Sequence, residues 1–155
     1  MNAPSAAQQL YADDLVVGRT FEGPKRTVTD QSFRLFADIT GDNHPIHYDP
    51  EYARQTRFKK PIAHGLLLMG MTALGGTAMS DCFKESMIAL ARQDCRFCNP
   101  VFVGDVVFSR FELESVERRP NGDSALMTYA VKLIKEPDVV VLEGHHAYYI
   151  RYRTA

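Results

Sequence analysis

Residues 39–65 read ITGDNHPIHYDPEYARQTRFKKPIAHG, and residues 65–80 continue as GLLLMGMTALGGTAMS. The first stretch concentrates acidic, histidine and proline residues, whereas the second contains no charged side chain. A connection between two elements does not require that density of ionisable groups. We therefore expect the first stretch to form a site. The second is expected to form a long buried helix, from about Gly65 to Met79, on which the rest of the chain packs.

Local signals place the ionisable residues on a loop between two helices. The first predicted helix begins after a cap at residues 29–30 and ends at Gly41. Asp49-Pro50-Glu51 is a typical helix start, with a capping acid followed by proline, so a short helix is predicted over residues 50–56. The loop over residues 42–49 lies between them.

The second half of the chain alternates apolar and polar residues in the manner of β-strands. Val107, Phe111 and Leu113 share one face of a strand predicted over residues 106–118. The other predicted strands are residues 21–28 with a bend at Gly23-Pro24, residues 86–97 as one strand or a pair, residues 125–133, and residues 139–152. Helices followed by consecutive antiparallel strands indicate an α+β fold. We expect a strongly curved antiparallel sheet wrapped around the long buried central helix, with a second copy of the chain helping to cover it.

Composition limits the classes of function. The 155 residues predict one domain over residues 1–155, of which residues 1–12 are expected to be flexible. The formal net charge of −1 gives no electrostatic reason to expect nucleic acid or an anionic membrane as partner. Three cysteines and the lack of a signal-peptide pattern favour a reducing, cytoplasmic setting. The uncharged run over residues 61–80 could be read as a membrane span, but its glycines and His64 favour a helix buried in protein.

Asp42 and His47 are interpreted as an acid–base pair. Alone, Asp42 would be a turn residue after Gly41, and His47 would be a buried structural histidine. Their fixed spacing around a proline favours the catalytic interpretation. His44 is interpreted as loop support, and His64 as a helix cap or interface group, with a direct role as the alternative.

Two patterns resemble metal sites but do not predict one. Asp42, His44 and His47 offer ligand types that bind metals, but no second ligand cluster accompanies them, so no metal is expected. Cys95 and Cys98 are three positions apart, so on a strand they point to opposite faces, and no second pair follows. Both are read as ordinary apolar residues.

Three segments carry a resemblance to a known family, and these are Gly41-Asp42-x-x-Pro45-Ile46-His47, Asp49-Pro50-Glu51-Tyr52-Ala53 and Pro61-Ile62-Ala63-His64-Gly65. The turn at residues 102–105, FVGD, also looks like that of the family. The chain resembles the MaoC-like family of (R)-specific enoyl-CoA hydratases, which have the hot-dog fold, over most of its length. One position departs from the family, which usually has asparagine directly before the proline. Here His44 stands in that place and Asn43 precedes it, and both are expected to support the loop.

The resemblance implies a hydratase or dehydratase that acts on an enoyl thioester. Asp42 and His47 would be the catalytic pair, and the backbone N–H of Gly65, at a helix start, would bind the thioester oxygen. The implied substrate is an acyl-CoA or acyl-carrier thioester with no separate cofactor, and the implied assembly is a homodimer or higher homo-oligomer. A basic cluster is read either as a solvated patch or as a contact for substrate phosphates, and it consists of Arg54, Arg57, Lys59 and Lys60. The alternatives are a hot-dog thioesterase and a non-catalytic subunit that binds acyl thioesters.

Overall fold

A computed structural model describes residues 8–120 and 122–153. Their framework is one antiparallel sheet whose strand order is β1-β4-β5-β6-β3, with β2 also paired to β4. The strands are β1 Thr20–Glu22, β2 Arg26–Thr27, β3 Met87–Phe97, β4 Val106–Arg118, β5 Ser124–Lys135 and β6 Val139–Arg151. The bend predicted at Gly23-Pro24 separates β1 from β2, and residues 87–97 form a single strand. The α+β prediction is confirmed.

Alternation along the strands builds the core as predicted. Val107, Phe111 and Leu113 of β4 are each at most 1% exposed. On β5 the residues from Ala125 to Leu133 alternate in the same way, with every second side chain buried. The inward face of the sheet packs in two hydrophobic clusters, one around Phe111 and one around Val107.

The helices that flank the loop begin and end as predicted. Helix α1 spans Asp30–Thr40, and Thr29 caps it by accepting a hydrogen bond from the Ser32 amide. It ends at Gly41, whose φ of 75° is in the left-handed region that glycine adopts without strain. Helix α2 spans Pro50–Gln55, and the Asp49 carboxylate caps it.

The prediction of one continuous helix over residues 65–79 is wrong, because the helix is broken. This central segment consists of α3 Gly65–Gly70, a 3₁₀ turn Leu74–Gly76 and α4 Met79–Cys82. Glycine in a helix interior costs about 1 kcal/mol relative to alanine, and three glycines lie within seven residues here. The segment is also not buried all round, since Leu66 is 59% exposed whereas Leu68 and Leu74 lie in the core.

The flexibility predicted for residues 1–12 stays a prediction: residues 1–7 lie outside the described part of the chain, whereas part of residues 8–12 packs on the core. Leu10 and Ala12 are buried in the core. The Leu10 amide donates to the Cys82 carbonyl at 2.8 Å, and the Ser86 hydroxyl donates to the Leu10 carbonyl at 2.6 Å. In the described residues, none of the helices has the length and apolar character that crossing a membrane requires.

Candidate active site

The loop after α1 is shaped by short-range hydrogen bonds. The Asp42 carboxylate accepts from the His44 amide at 3.3 Å, and the His44 ring accepts from the Ile46 amide at 3.3 Å. Asn43 donates to the Gly41 carbonyl at 3.3 Å. These bonds join residues of the same loop, and a supporting role for Asn43 and His44 stays a prediction. They lead into a 3₁₀ turn, Pro45–His47.

The structure brings Asp42 and His47 together and adds His64 to them. One side-chain oxygen or nitrogen of each residue lies within 4.8 Å of one on each of the other two. The rings of His47 and His64 are stacked, with centroids 3.8 Å apart and planes 26° from parallel. Asp42 is exposed, His47 is half-buried and His64 is 2% exposed. The site therefore opens to solvent on the Asp42 side and has a buried floor.

The tautomer of neutral His47 follows from one hydrogen bond. Its Nδ1 lies 2.7 Å from the Ile62 carbonyl oxygen, and a carbonyl can only accept. Nδ1 therefore carries the proton in the neutral ring, and Nε2 presents a lone pair. A histidine in this state can receive a proton at Nε2.

His64 is held by Tyr48, a residue to which no motif in the sequence assigns a role. The Tyr48 hydroxyl lies 2.7 Å from His64 Nε2, 3.0 Å from the Asp42 carbonyl and 3.2 Å from the Phe33 carbonyl. Burial and the neighbouring His47 lower the pKa of His64, so its ring is neutral at neutral pH. The signal for it in the sequence is a tyrosine directly after His47.

The three side chains do not fit a metal ion as they stand. A histidine nitrogen binds a metal along its lone pair, which lies in the ring plane. The stacked rings of His47 and His64 direct their lone pairs along nearly parallel planes, whereas a tetrahedral site requires two of them to converge on one point. The arrangement suits proton transfer better than metal binding.

Gly65 begins α3, and the neighbouring Phe97 ring accounts for a glycine there. A Cβ at this position would lie 3.0 Å from Cζ of Phe97, so the Phe97 ring occupies the space of a side chain. The first amides of a helix have no partner inside the helix. However, α3 has only six residues, so the dipole of a long helix does not add to the Gly65 amide.

A groove of about 190 Å³ runs from Gly65 to Arg57. Its walls are mainly apolar and include Phe58, Ile62 and Phe97. It joins the amide proposed for the thioester oxygen to a basic side chain at its rim.

Of the four basic residues in the predicted cluster, only Arg57 lines this groove. Arg54 pairs with Glu51 at 2.7 Å, and Lys60 lies over the Phe102 ring at 4.2 Å. Lys59 lies in a tight turn at φ 65°. The four side chains therefore have different surroundings. Of the four, Arg57 is the candidate for contact with a ligand in the groove.

The cysteine pair shows no sign of a joint site. Cys95 and Cys98 are both free thiols. Cys95 contacts the Met69 sulfur at 3.6 Å, as an apolar residue would, whereas Cys98 is exposed.

The fold and the site define a class of protein: an α+β chain of the hot-dog type, with an acid–histidine site on the loop that precedes its central helical segment. The family model described as "MaoC like domain" matches residues 14–135, so the chain belongs to the MaoC-like domain family. A 3-hydroxybutyryl-CoA dehydratase of Methylorubrum extorquens is 36% identical over 113 residues, which cover 71% of this chain and 69% of the relative.

Two further comparisons extend the match to nearly the whole chain. An (R)-specific enoyl-CoA hydratase of Aeromonas caviae is 29% identical and is aligned over 87% of this chain and 95% of its own length. The solved structure of a monoamine oxidase regulatory protein from an Archaeoglobus species is 31% identical. It superimposes with a TM-score of 0.89 over 96% of this chain and 99% of its own.

Proposed function

We propose that this protein is a hydro-lyase that adds water reversibly across the α,β double bond of an enoyl thioester, with an (R)-3-hydroxyacyl thioester as the product. Membership of the MaoC-like family and the hydratase and dehydratase names of its relatives support the reaction. The observation that carries the proposal is the meeting of Asp42 and His47 within 4.8 Å, next to the chain that leads into Gly65.

Hydration requires two proton transfers and the stabilisation of an enolate oxygen. We assign His47 Nε2, which presents its lone pair, as the acceptor of the proton of water as the water oxygen bonds to the β-carbon. The Asp42–His47 pair returns one proton to the α-carbon, so the site ends each turnover with the protons it began with. A well-placed proton-transfer group contributes about 10²–10⁴ in rate.

The Gly65 amide is assigned to the thioester oxygen, where such a donor contributes about 10²–10³ in rate. The groove beside it would hold the arm of the thioester, and Arg57 at its rim would contact a phosphate of coenzyme A or of a carrier protein. Coenzyme A enters as part of the substrate, and the reaction as proposed requires no metal or redox cofactor. A cytoplasmic setting stays a prediction.

A homodimer formed through β3 is part of the proposal. β3 is the last strand of the sheet as described, eleven residues long. Three of its large apolar side chains are exposed, Ile88 at 44%, Leu90 at 50% and Phe97 at 50%. An unpaired edge with apolar side chains is a template for pairing with a second strand. A second copy of the chain would cover both the edge and these side chains.

The test is incubation with crotonyl-CoA while enoyl absorbance and free thiol are followed separately. Loss of absorbance without thiol supports hydration. Thiol release supports the thioesterase alternative, and binding with neither change supports a non-catalytic subunit.

Variants at Asp42 and His47 test whether these two residues carry out the reaction. Asp42→Asn and His47→Ala should each lower kcat by about 10²-fold or more, while binding of a saturated acyl-CoA persists. A matched control is the exposed Asp94–His145 pair, 3.2 Å apart on the sheet. Asp94→Asn and His145→Ala should leave kcat unchanged. Equal turnover in the site variants and the controls contradicts the assignment.

A further inference from the structure

Buried His64 and half-buried Tyr48 touch every part of the site without a role in the reaction described above. His64 stacks on His47 and precedes Gly65 directly in the chain. Through the Tyr48 hydroxyl it also reaches the main chain of Asp42. We propose that His64 and Tyr48 are positioning residues that hold Asp42, His47 and Gly65 in one geometry for the proposed hydration, on which this inference rests.

The direction of the hydrogen bonds follows from the chemistry of the groups around Tyr48. Its hydroxyl has one proton and two neighbouring carbonyls, of Asp42 and Phe33, at 3.0 and 3.2 Å. Carbonyls can only accept, so the Tyr48 proton points towards them. The 2.7 Å contact must then be a donation from His64 Nε2–H to the Tyr48 oxygen. The chain of donors runs from His64 through Tyr48 to the Asp42 carbonyl.

This assignment leaves His64 Nδ1 without its proton. Nδ1 is buried and has no hydrogen-bond partner among the described residues. An unpaired buried acceptor usually costs about 1–3 kcal/mol. A purely apolar ring at this position would pack against Phe33 and Phe36 without that cost, because both aromatic rings already contact His64. The retained N–H to Tyr48 is what a histidine supplies here and an apolar ring does not.

The stack of His64 on His47 restricts the His47 ring, which is the second member of the acid–base pair. One edge of the His47 ring is tied to the Ile62 carbonyl, and one face is covered by His64. These two contacts fix the direction of the Nε2 lone pair. The groups that face His64 are His47, Tyr48, Asp42 and the two phenylalanine rings. Because burial keeps His64 neutral, its stack does not place a second positive charge against His47 when His47 is protonated.

The variants separate positioning from simple packing. Tyr48→Phe removes one hydroxyl and keeps the ring. His64→Gln can keep an N–H donor near the position of Nε2, whereas the shorter His64→Asn cannot reach Tyr48. Tyr48→Phe and His64→Asn should lower kcat by about 10- to 100-fold, since a small misplacement of reacting groups has that effect. KM should change by less than about threefold, because the groove of the substrate is untouched.

The chain offers a matched control with the same chemistry. His146 is also 2% exposed, and its Nδ1 lies 3.1 Å from the Tyr148 hydroxyl. Tyr148 belongs to the hydrophobic cluster around Phe111, away from the loop. Tyr148→Phe and His146→Gln should lower the melting temperature to a similar extent as the site variants and leave kcat per folded protein unchanged.

The inference is supported if kcat of His64→Gln is at least about fivefold higher than kcat of His64→Asn. It also requires that the double variant His64→Asn/Tyr48→Phe is no slower than the slower of the two single variants, because groups that act as a unit behave in this way. It is overturned if kcat of Tyr48→Phe is within threefold of wild type, or if Gln and Asn at position 64 are equal. Should His64→Asn fail to fold, the hydroxyl deletion at Tyr48 decides alone. Wild-type protein that does not hydrate crotonyl-CoA contradicts the proposed function instead.

Discussion

His146 provides a prediction about stability whose size can be worked out from its surroundings. Its ring is buried between Thr72 and Gln93, at 3.2 and 2.8 Å from their side chains. Burial lowers the pKa of His146 from 6.5 to about 4, and the charge of Asp94 on β3 acts in the opposite direction. In the unfolded chain the same group has its ordinary pKa of about 6.5.

The direction in which pH changes the stability follows from the number of protons that each state binds. Between pH 6.5 and pH 4 the unfolded chain binds a proton at His146 and the folded protein does not, so acid favours unfolding. Stability from this group is complete above the unfolded pKa and is lost as the pH falls towards the folded one. Linkage with these two pKa values gives a loss of about 2 kcal/mol between pH 7 and pH 5.

The assay is urea unfolding at pH 7 and pH 5, at one protein concentration because a dimer makes stability depend on it. His146→Gln keeps polar atoms for the neighbours but does not titrate. We expect the free energy of unfolding of wild type to fall by about 2 kcal/mol more than that of His146→Gln over this interval. His145→Gln, next to it but half-exposed, should lose as much as wild type. Parallel losses in wild type and His146→Gln would refute the reasoning.

Three other changes test the site and the assembly. Gly65→Ala places a Cβ 3.0 Å from the Phe97 ring, so we expect kcat to fall about tenfold. Changing Phe97 to Leu as well should restore part of this kcat. An unchanged kcat in Gly65→Ala would mean that the amide is not tightly placed. Arg57→Ala should raise KM for crotonyl-CoA about fivefold at constant kcat, whereas Arg54→Ala, whose guanidinium is paired with Glu51, should change neither. Leu90→Arg on the β3 edge should shift the mass in sedimentation equilibrium from about twice 17.5 kDa to the monomer, and a persistent dimer would place the interface elsewhere.

The parts of the fold that the sequence could predict depend on neighbours along the chain. Caps at Thr29 and Asp49, the stop at Gly41 and the alternation of β4 are all read within a few residues. The apolar run of the central segment favours one helix, whereas its three glycines break that helix. The packing of Leu10 was missed because its partners lie more than seventy residues away.

The same distinction applies to the site. Asp42 and His47 are five residues apart, so a motif was enough to predict that they meet. His64 joins them only because the segment after α2 returns to the loop, where the Ile62 amide donates to the Ile46 carbonyl at 3.3 Å. Tyr48 acquires its role from that return. No periodicity along the chain encodes a contact of this kind.

The short length of α3 leaves placement, rather than a helix dipole, as the source of any effect of the Gly65 amide. A long helix would have supplied a dipole at its first amide, whereas a six-residue helix supplies little. What remains is placement: the Ala63 amide is bonded to the Val101 carbonyl at 2.8 Å, the His64 ring is held by Tyr48, and Phe97 closes the side of Gly65. An amide donor stabilises a developing oxyanion because its position is fixed before the charge appears. The Gly65 amide therefore depends on its fixed neighbours for any catalytic effect, and the variants at Tyr48, His64 and Phe97 measure that dependence directly.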